Sequence, residues 1–147
     1  MGTISRNFSY REFEKSETAE RLGICNVITT FQVRDAVRAL TVEILQPLRD
    51  YLGLPVFISS GFRCQKLNAA VGGSPKSQHP KGEAADIYVL RAGKSVSPRE
   101  LAQIIIELNL PFDQLIIYPT FLHVSHRLNG DQRRCVLYNK SYKGPSL

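Results

Sequence analysis

The stretch "SQHPKGEAADIYV" at positions 77–89 sets a histidine seven positions before an aspartate, and the aspartate lies inside an apolar run. Imidazole and carboxylate are both metal ligands, and a carboxylate taken out of water without a partner is costly enough to lose its charge. Asp86 therefore needs a partner. A hydrolytic zinc site uses three protein ligands, commonly histidines with one carboxylate, and leaves a fourth position open to water. His79 and Asp86 would supply two, and the third has to come from "FLHVSHR", which holds the remaining histidines, His123 and His126. Strand alternation puts these two on opposite faces. His123 sits between Leu122 and Val124, whereas His126 lies beside Arg127 near the strand end, so His123 is the better ligand.

The elements that would position these groups can be read from periodicity. "SYRE" at 9–12 fits a capping box, and a short helix through "KSETAERLG" should stop at Gly23. From Phe31 to Leu52 apolar residues recur at three- and four-residue spacing, which predicts one amphipathic helix kinked at Pro47. "PVFISSGFR" reads as a strand running into a turn, followed by a short helix around "CQKLNAAV" that "GGSP" ends. "AADIYVL" reads as a strand. "SPRE" at 97–100 starts a further helix with Pro98 at its first position. Three strand-like segments close the chain, "FDQLIIY", "FLHVSH" and "RRCVLYN", the last two expected to form a hairpin across Asn129 and Gly130. Gly72, Gly73 and Gly82 are expected to take positive φ in the loop under the site. Strands and helices grouped in this way predict an α+β fold with a largely antiparallel sheet and flanking helices.

A chain of 147 residues with 43% hydrophobic residues has the size of one globular domain. The expected layout is a single domain over 1–147, with a helical lead-in over 1–30, a flexible tail over 139–147, and no partner copy. The net charge of +6 favours anionic partners, but the basic residues form no run and have no interleaved aromatics, so nucleic acid is not indicated. Apolar runs fall far short of a membrane span, and "MGTISRNFSY" has no apolar export region. Cytoplasmic synthesis is the expectation. Three cysteines, with no CxxC pair, exclude a thiolate zinc cage and make a disulfide framework unexpected. Each is expected to be buried. No G-x-G-x-x-G or G-x-x-x-x-G-K motif supports a nucleotide cofactor.

"SGFR" at 60–63, Asn68 with "VGG" at 71–73, "SQHPKGEAADI" and "FLHVS" resemble, in order, the zinc D-Ala-D-Ala carboxypeptidase family of cell-wall peptidases, family M15, and its smaller bacterial and phage members. The pattern S-x-H-x-x-G-x-A-x-D is matched at Ser77, His79, Gly82, Ala84 and Asp86. The resemblance implies the fold shared by hedgehog domains and DD-peptidases, Zn2+ held by His79, Asp86 and His123, and a substrate carboxylate bound by Arg63 with help from Ser77. A guanidinium fork suits that contact. It implies hydrolysis of D-amino-acid-containing bonds in the peptidoglycan stem peptide, by a carboxypeptidase or an endopeptidase that is released to the cell wall after cytoplasmic synthesis. Zinc would lower the pKa of its water toward about 7. Many relatives carry a carboxylate just before the last histidine ligand, but "IIYPTFLH" has none. Asp113, in "PFDQLI", and His126 are then the candidates for the general base, and Tyr118 could offer a hydroxyl to an oxyanion. Glu83 reads as an exposed loop carboxylate. A metal-bearing wall-binding protein without turnover is the alternative that this gap leaves open.

Overall fold

A computed structural model describes residues 2–147. The chain enters through a two-stranded ribbon, β1 (Thr3–Ser5) and β2 (Phe8–Ser9), and two short helices, α1 (Tyr10–Glu14) and α2 (Glu17–Leu22). The expected capping box starts α1, with the Ser9 N–H donating to the Glu12 carboxylate at 2.8 Å. Ser16 caps α2 by accepting from Ala19, and Gly23 ends it at φ +68°.

The long amphipathic segment is α3 (Phe31–Leu40), one π turn (Thr41–Leu45) and α4 (Gln46–Leu52). The irregularity begins ahead of Pro47, which has no N–H to give the ladder. The Gln46 N–H instead bonds the Thr41 carbonyl. The wider turn leaves Leu40, Ile44, Leu45 and Leu48 all fully buried.

The main sheet contains β3 (Val56–Ser60), β4 (Ala84–Arg91), β6 (Gln114–Ile117), β7 (Leu122–Ser125) and β8 (Cys135–Tyr138), in the order β3-β4-β7-β6-β8. A short β5 (Lys94–Ser95) pairs with β4. Two more helices, α5 (Gln65–Ala70) and α6 (Pro98–Glu107), complete an α+β fold. Ser97 caps α6 by accepting from Glu100, with Pro98 in the first turn as expected.

The expected hairpin across Asn129 and Gly130 is not formed. β7 already lies between β4 and β6 and has no free edge to offer, so the chain crosses β6 and β8 joins it in parallel. Bonds to Asp113 hold this crossing. The Cys135 N–H donates to the Asp113 carbonyl at 2.9 Å, and the Arg133 guanidinium reaches the Asp113 carboxylate at 2.7 Å. Every other pairing in the main sheet is antiparallel.

Alternation along the strands gives the sheet two unlike faces. Ala85, Ile87 and Val89 of β4, Leu122 and Val124 of β7, and Leu115 and Ile117 of β6 enter one core with α3, α4 and α6. The residues between them, Asp86, Tyr88, His123 and Ile116, are left for the other face. Beyond β8, Tyr142 packs against the core and stacks on Tyr138. All three cysteines are free, and none is buried as expected: Cys25, just after α2, is exposed, and Cys64 and Cys135 are half-buried.

Candidate metal centre and cleft

Asp86 and His123 are direct cross-strand partners in the β4–β7 ladder. Their side chains meet, His123 Nδ1 lying 2.9 Å from Asp86 Oδ1. His79 opens a single 3-10 turn, His79–Lys81, above β4. Its Nδ1–H donates to the Gly61 carbonyl at 2.6 Å, which makes Nε2 a bare lone pair. That Nε2 is buried without a hydrogen-bond partner and lies 3.4 Å from Asp86 Oδ1. Two acceptors facing each other repel, and a cation between them satisfies both. One ligand atom from each of the three residues lies within 4.8 Å of the others. Tetrahedral coordination at about 2.1 Å places ligand atoms about 3.4 Å apart, close to the 2.9 and 3.4 Å seen here. The two-nitrogen, one-oxygen set fits a divalent cation such as zinc. Burial alone would raise the Asp86 pKa, but the hydrogen bond from His123 holds it far below the usual carboxylate range.

The loops that carry the site press closely on the helices. A Cβ on Gly61 would lie 2.8 Å from the Phe13 Cα in α1, so only glycine lets the "SGFR" turn come near enough to accept from His79. Gly82, at φ +75°, ends the His79 turn where a Cβ would lie 2.7 Å from the Val33 carbonyl of α3. Gly73 does not take the expected positive φ; a Cβ there would collide with the Asn68 side chain, so its constraint is space. Asn26, which sequence reasoning passed over, ties the lead-in to the Arg63 loop. Its amide donates to the carbonyls of Glu14 at 2.8 Å and Phe62 at 2.9 Å, and its Oδ1 accepts from Cys64 N–H at 2.7 Å. A polar residue at 7% exposure with three fixed bonds had no local signal beyond being asparagine.

A cleft runs past the three ligands in two lobes that meet at Arg63 and Asp86. The larger, about 610 Å3, is lined by His79, His123, Ser77, Tyr118 and Phe121 among others. Arg63 is half-buried, and its Nε makes no hydrogen bond among the described residues. Burial lowers its pKa, against the pull of Asp86 and Tyr118. The Ser77 hydroxyl oxygen accepts from the His79 N–H at 3.1 Å, so its own hydrogen remains available to donate. Tyr118 stacks on Phe121 with ring centroids 4.2 Å apart. Its phenol is pushed above the ordinary tyrosine range by burial and then by Asp86, with Arg63 opposing.

Neither Asp113 nor His126 lines this cleft. The Asp113 carboxylate is fully buried and accepts from Arg133 N, Nε and Nη2 and from Gln78 Nε2. Burial would raise its pKa, but Arg133 and Gln78 lower it. The His126 Nδ1–H donates to the Pro111 carbonyl at 2.7 Å. Glu83 is half-buried rather than an exposed loop carboxylate. It accepts from Gln78 at 3.1 Å and from Leu128 N–H at 3.0 Å, because the crossing to β8 passes over it. Gln78, the residue before His79, thus bridges two carboxylates beneath the ligand loop.

The sequence profile of the family described as Peptidase M15 matches residues 6–125, a span that holds all three ligand candidates, Arg63 and Ser77. No curated protein matches the chain. With the profile covering everything from β2 to the end of β7, this chain belongs to the peptidase M15 family.

Proposed function

We propose that the chain is a zinc peptidase that hydrolyses D-amino-acid-containing bonds of the peptidoglycan stem peptide, as a D-Ala-D-Ala carboxypeptidase or an endopeptidase. The observation that carries this reading is the orphaned Nε2 of His79 facing Asp86, beside Arg63, in a peptidase M15 chain. His79, Asp86 and His123 would hold the zinc, which when bound supplies a Lewis acid for the scissile carbonyl and acidifies a water. Arg63 offers a planar fork to a substrate carboxylate, and partial burial strengthens that contact. Ser77 donates its hydroxyl hydrogen to the same end of the substrate. Tyr118 supplies a neutral O–H donor for the carbonyl oxygen as charge develops on it. Asp113 and His126, bonded elsewhere, act in support: Asp113 through Gln78 fixes the His79 loop, and His126 fixes the chain ahead of β6. We read the chain as one monomeric domain that is released to the wall. No helix among the described residues is long and apolar enough to cross a membrane.

A second reading has an observation of its own. Apart from Asp86, no carboxylate among the described residues lines the larger lobe, so no side chain there resembles the usual general base. A metal-bearing protein that binds stem peptide without turnover fits that lining. Elemental analysis of zinc in the wild type and in His79→Ala, together with cleavage of purified muropeptides, separates the two. About one zinc per chain, lost with cleavage in the variant, is the expected result. Zinc without cleavage selects the binding protein, and no zinc refutes both.

A further inference from the structure

The two lobes of the cleft differ in chemistry. The larger carries Arg63, Lys76 and Arg133. The smaller, about 590 Å3, carries one cation and one carboxylate of its own, Lys15 and Glu17, the hydroxyls of Ser16, Thr18, Ser59, Ser60 and Tyr88, and the apolar side chains of Ile58, Leu67 and Val71. One aromatic ring, that of Tyr88, lines it, and Phe57 lies beside that ring. Tyr88 of β4 stacks on its cross-strand partner Phe57 of β3 at 5.2 Å, and Phe57 is 40% exposed on the open sheet face.

Two of these hydroxyls are fixed with hydrogen-bonding capacity to spare. Ser16 Oγ accepts from Ala19 N–H and keeps its hydrogen; Ser59 Oγ donates to the Asp86 carbonyl at 3.2 Å and keeps its lone pairs. Fixed donors and acceptors beside a bare aromatic face, with charges that balance, suit a neutral ligand with many hydroxyls and one C–H-rich face. The two cations that line the lobe, Lys15 and Arg63, are matched in number by two carboxylates, Glu17 and Asp86, so the lobe offers a peptide carboxylate no net positive charge. The volume falls in the range of small-molecule sites.

Resting on the peptidase reading above, we infer that the smaller lobe is a saccharide subsite, in which an N-acetylated amino sugar stacks on Phe57 and Tyr88 while the peptide attached to it runs past Asp86 into the larger lobe. The preferred substrate is then a stem peptide still joined to its glycan.

The test uses the full chain, 15N-labelled, titrated with N,N′-diacetylchitobiose, a neutral amino-sugar disaccharide without peptide. Saturable shifts at Phe57, Ser59 and Tyr88 are expected. The Phe57→Ser/Tyr88→Ser double variant should lose them and Tyr88→Phe, which keeps the ring, should retain them. In the zinc-loaded protein a muramyl peptide should bind about tenfold more tightly than the same free peptide, and the double variant should remove that difference without weakening the free peptide. The absence of saturable shifts in the wild type, or shifts confined to other residues, overturns the inference. Cleavage of free peptide with a silent disaccharide titration leaves the peptidase reading standing and removes this one. Disaccharide binding in a protein that cleaves nothing does the reverse. A double variant that weakens both peptides equally also counts against the subsite, and its thermal midpoint shows whether folding is the cause.

Discussion

Replacing Asn26 with alanine tests how the cleft depends on the lead-in. The side chain makes three hydrogen bonds, to the carbonyls of Glu14 and Phe62 and from the Cys64 N–H, at 2.8, 2.9 and 2.7 Å. Each is worth about 1 kcal/mol net, so their loss costs about 3 kcal/mol. Leaving the Cys64 N–H without a partner adds about 1–2 kcal/mol, for a total of about 4–5 kcal/mol. That is a large part of the roughly 5–15 kcal/mol that holds a domain together. With an m-value of about 2 kcal/mol/M, the urea midpoint should fall by about 2 M. Because Phe62 and Cys64 flank Arg63, substrate binding should weaken as well, even at temperatures where the variant is folded. A midpoint shift below about 0.5 M would mean that Asn26 does not clamp this loop, and the account of how Arg63 is positioned would fail.

Arg63→Lys replaces a fork with a point charge and should lower kcat/KM on carboxylate-terminated peptides about 10- to 100-fold, mostly through KM; steady-state kinetics on a peptide and its C-terminal amide will show it. Tyr118→Phe removes the proposed donor and should lower kcat about 100-fold or more with little change in KM, and an unchanged kcat excludes the role. Asp113 has a lowered folded pKa, so its stabilisation is present above its unfolded value of about 4 and is lost as pH falls through the folded value. Asp113→Asn should therefore be less stable than wild type at pH 7, with the gap closing in thermal melts on acidification below about pH 4.

The parts of the site that were legible in the sequence are those fixed by short spacing. Strand alternation in "AADIYVL" and "FLHVS" places Asp86 and His123 on the face opposite the core, and the ladder pairs them. Caps at Ser9 and Ser97 were equally local and are found where the sequence puts them. What was not legible depends on partners far along the chain. The Asn-Gly turn signal says that the chain bends, but which strand β8 joins is decided by the filled edges of β7 and by Arg133 reaching Asp113, twenty residues away. Glu83 looked exposed because its partner Leu128 lies 45 residues on. The π turn leaves no trace in a periodicity pattern that Leu40, Ile44 and Leu48 satisfy on either geometry.

The position of β7 between β4 and β6 also bears on kinetics. Amides in a central strand are among the last to exchange with solvent, whereas a loop ending in a one-turn helix opens at far lower cost. Asp86 and His123 thus belong to the slowest-opening part of the molecule, and His79 to a segment that can swing away while the sheet stays intact. An ion held among the three would come and go through opening of the His79 loop, at a rate set by the bonds of Gly61, Ser77 and Gln78 rather than by global unfolding.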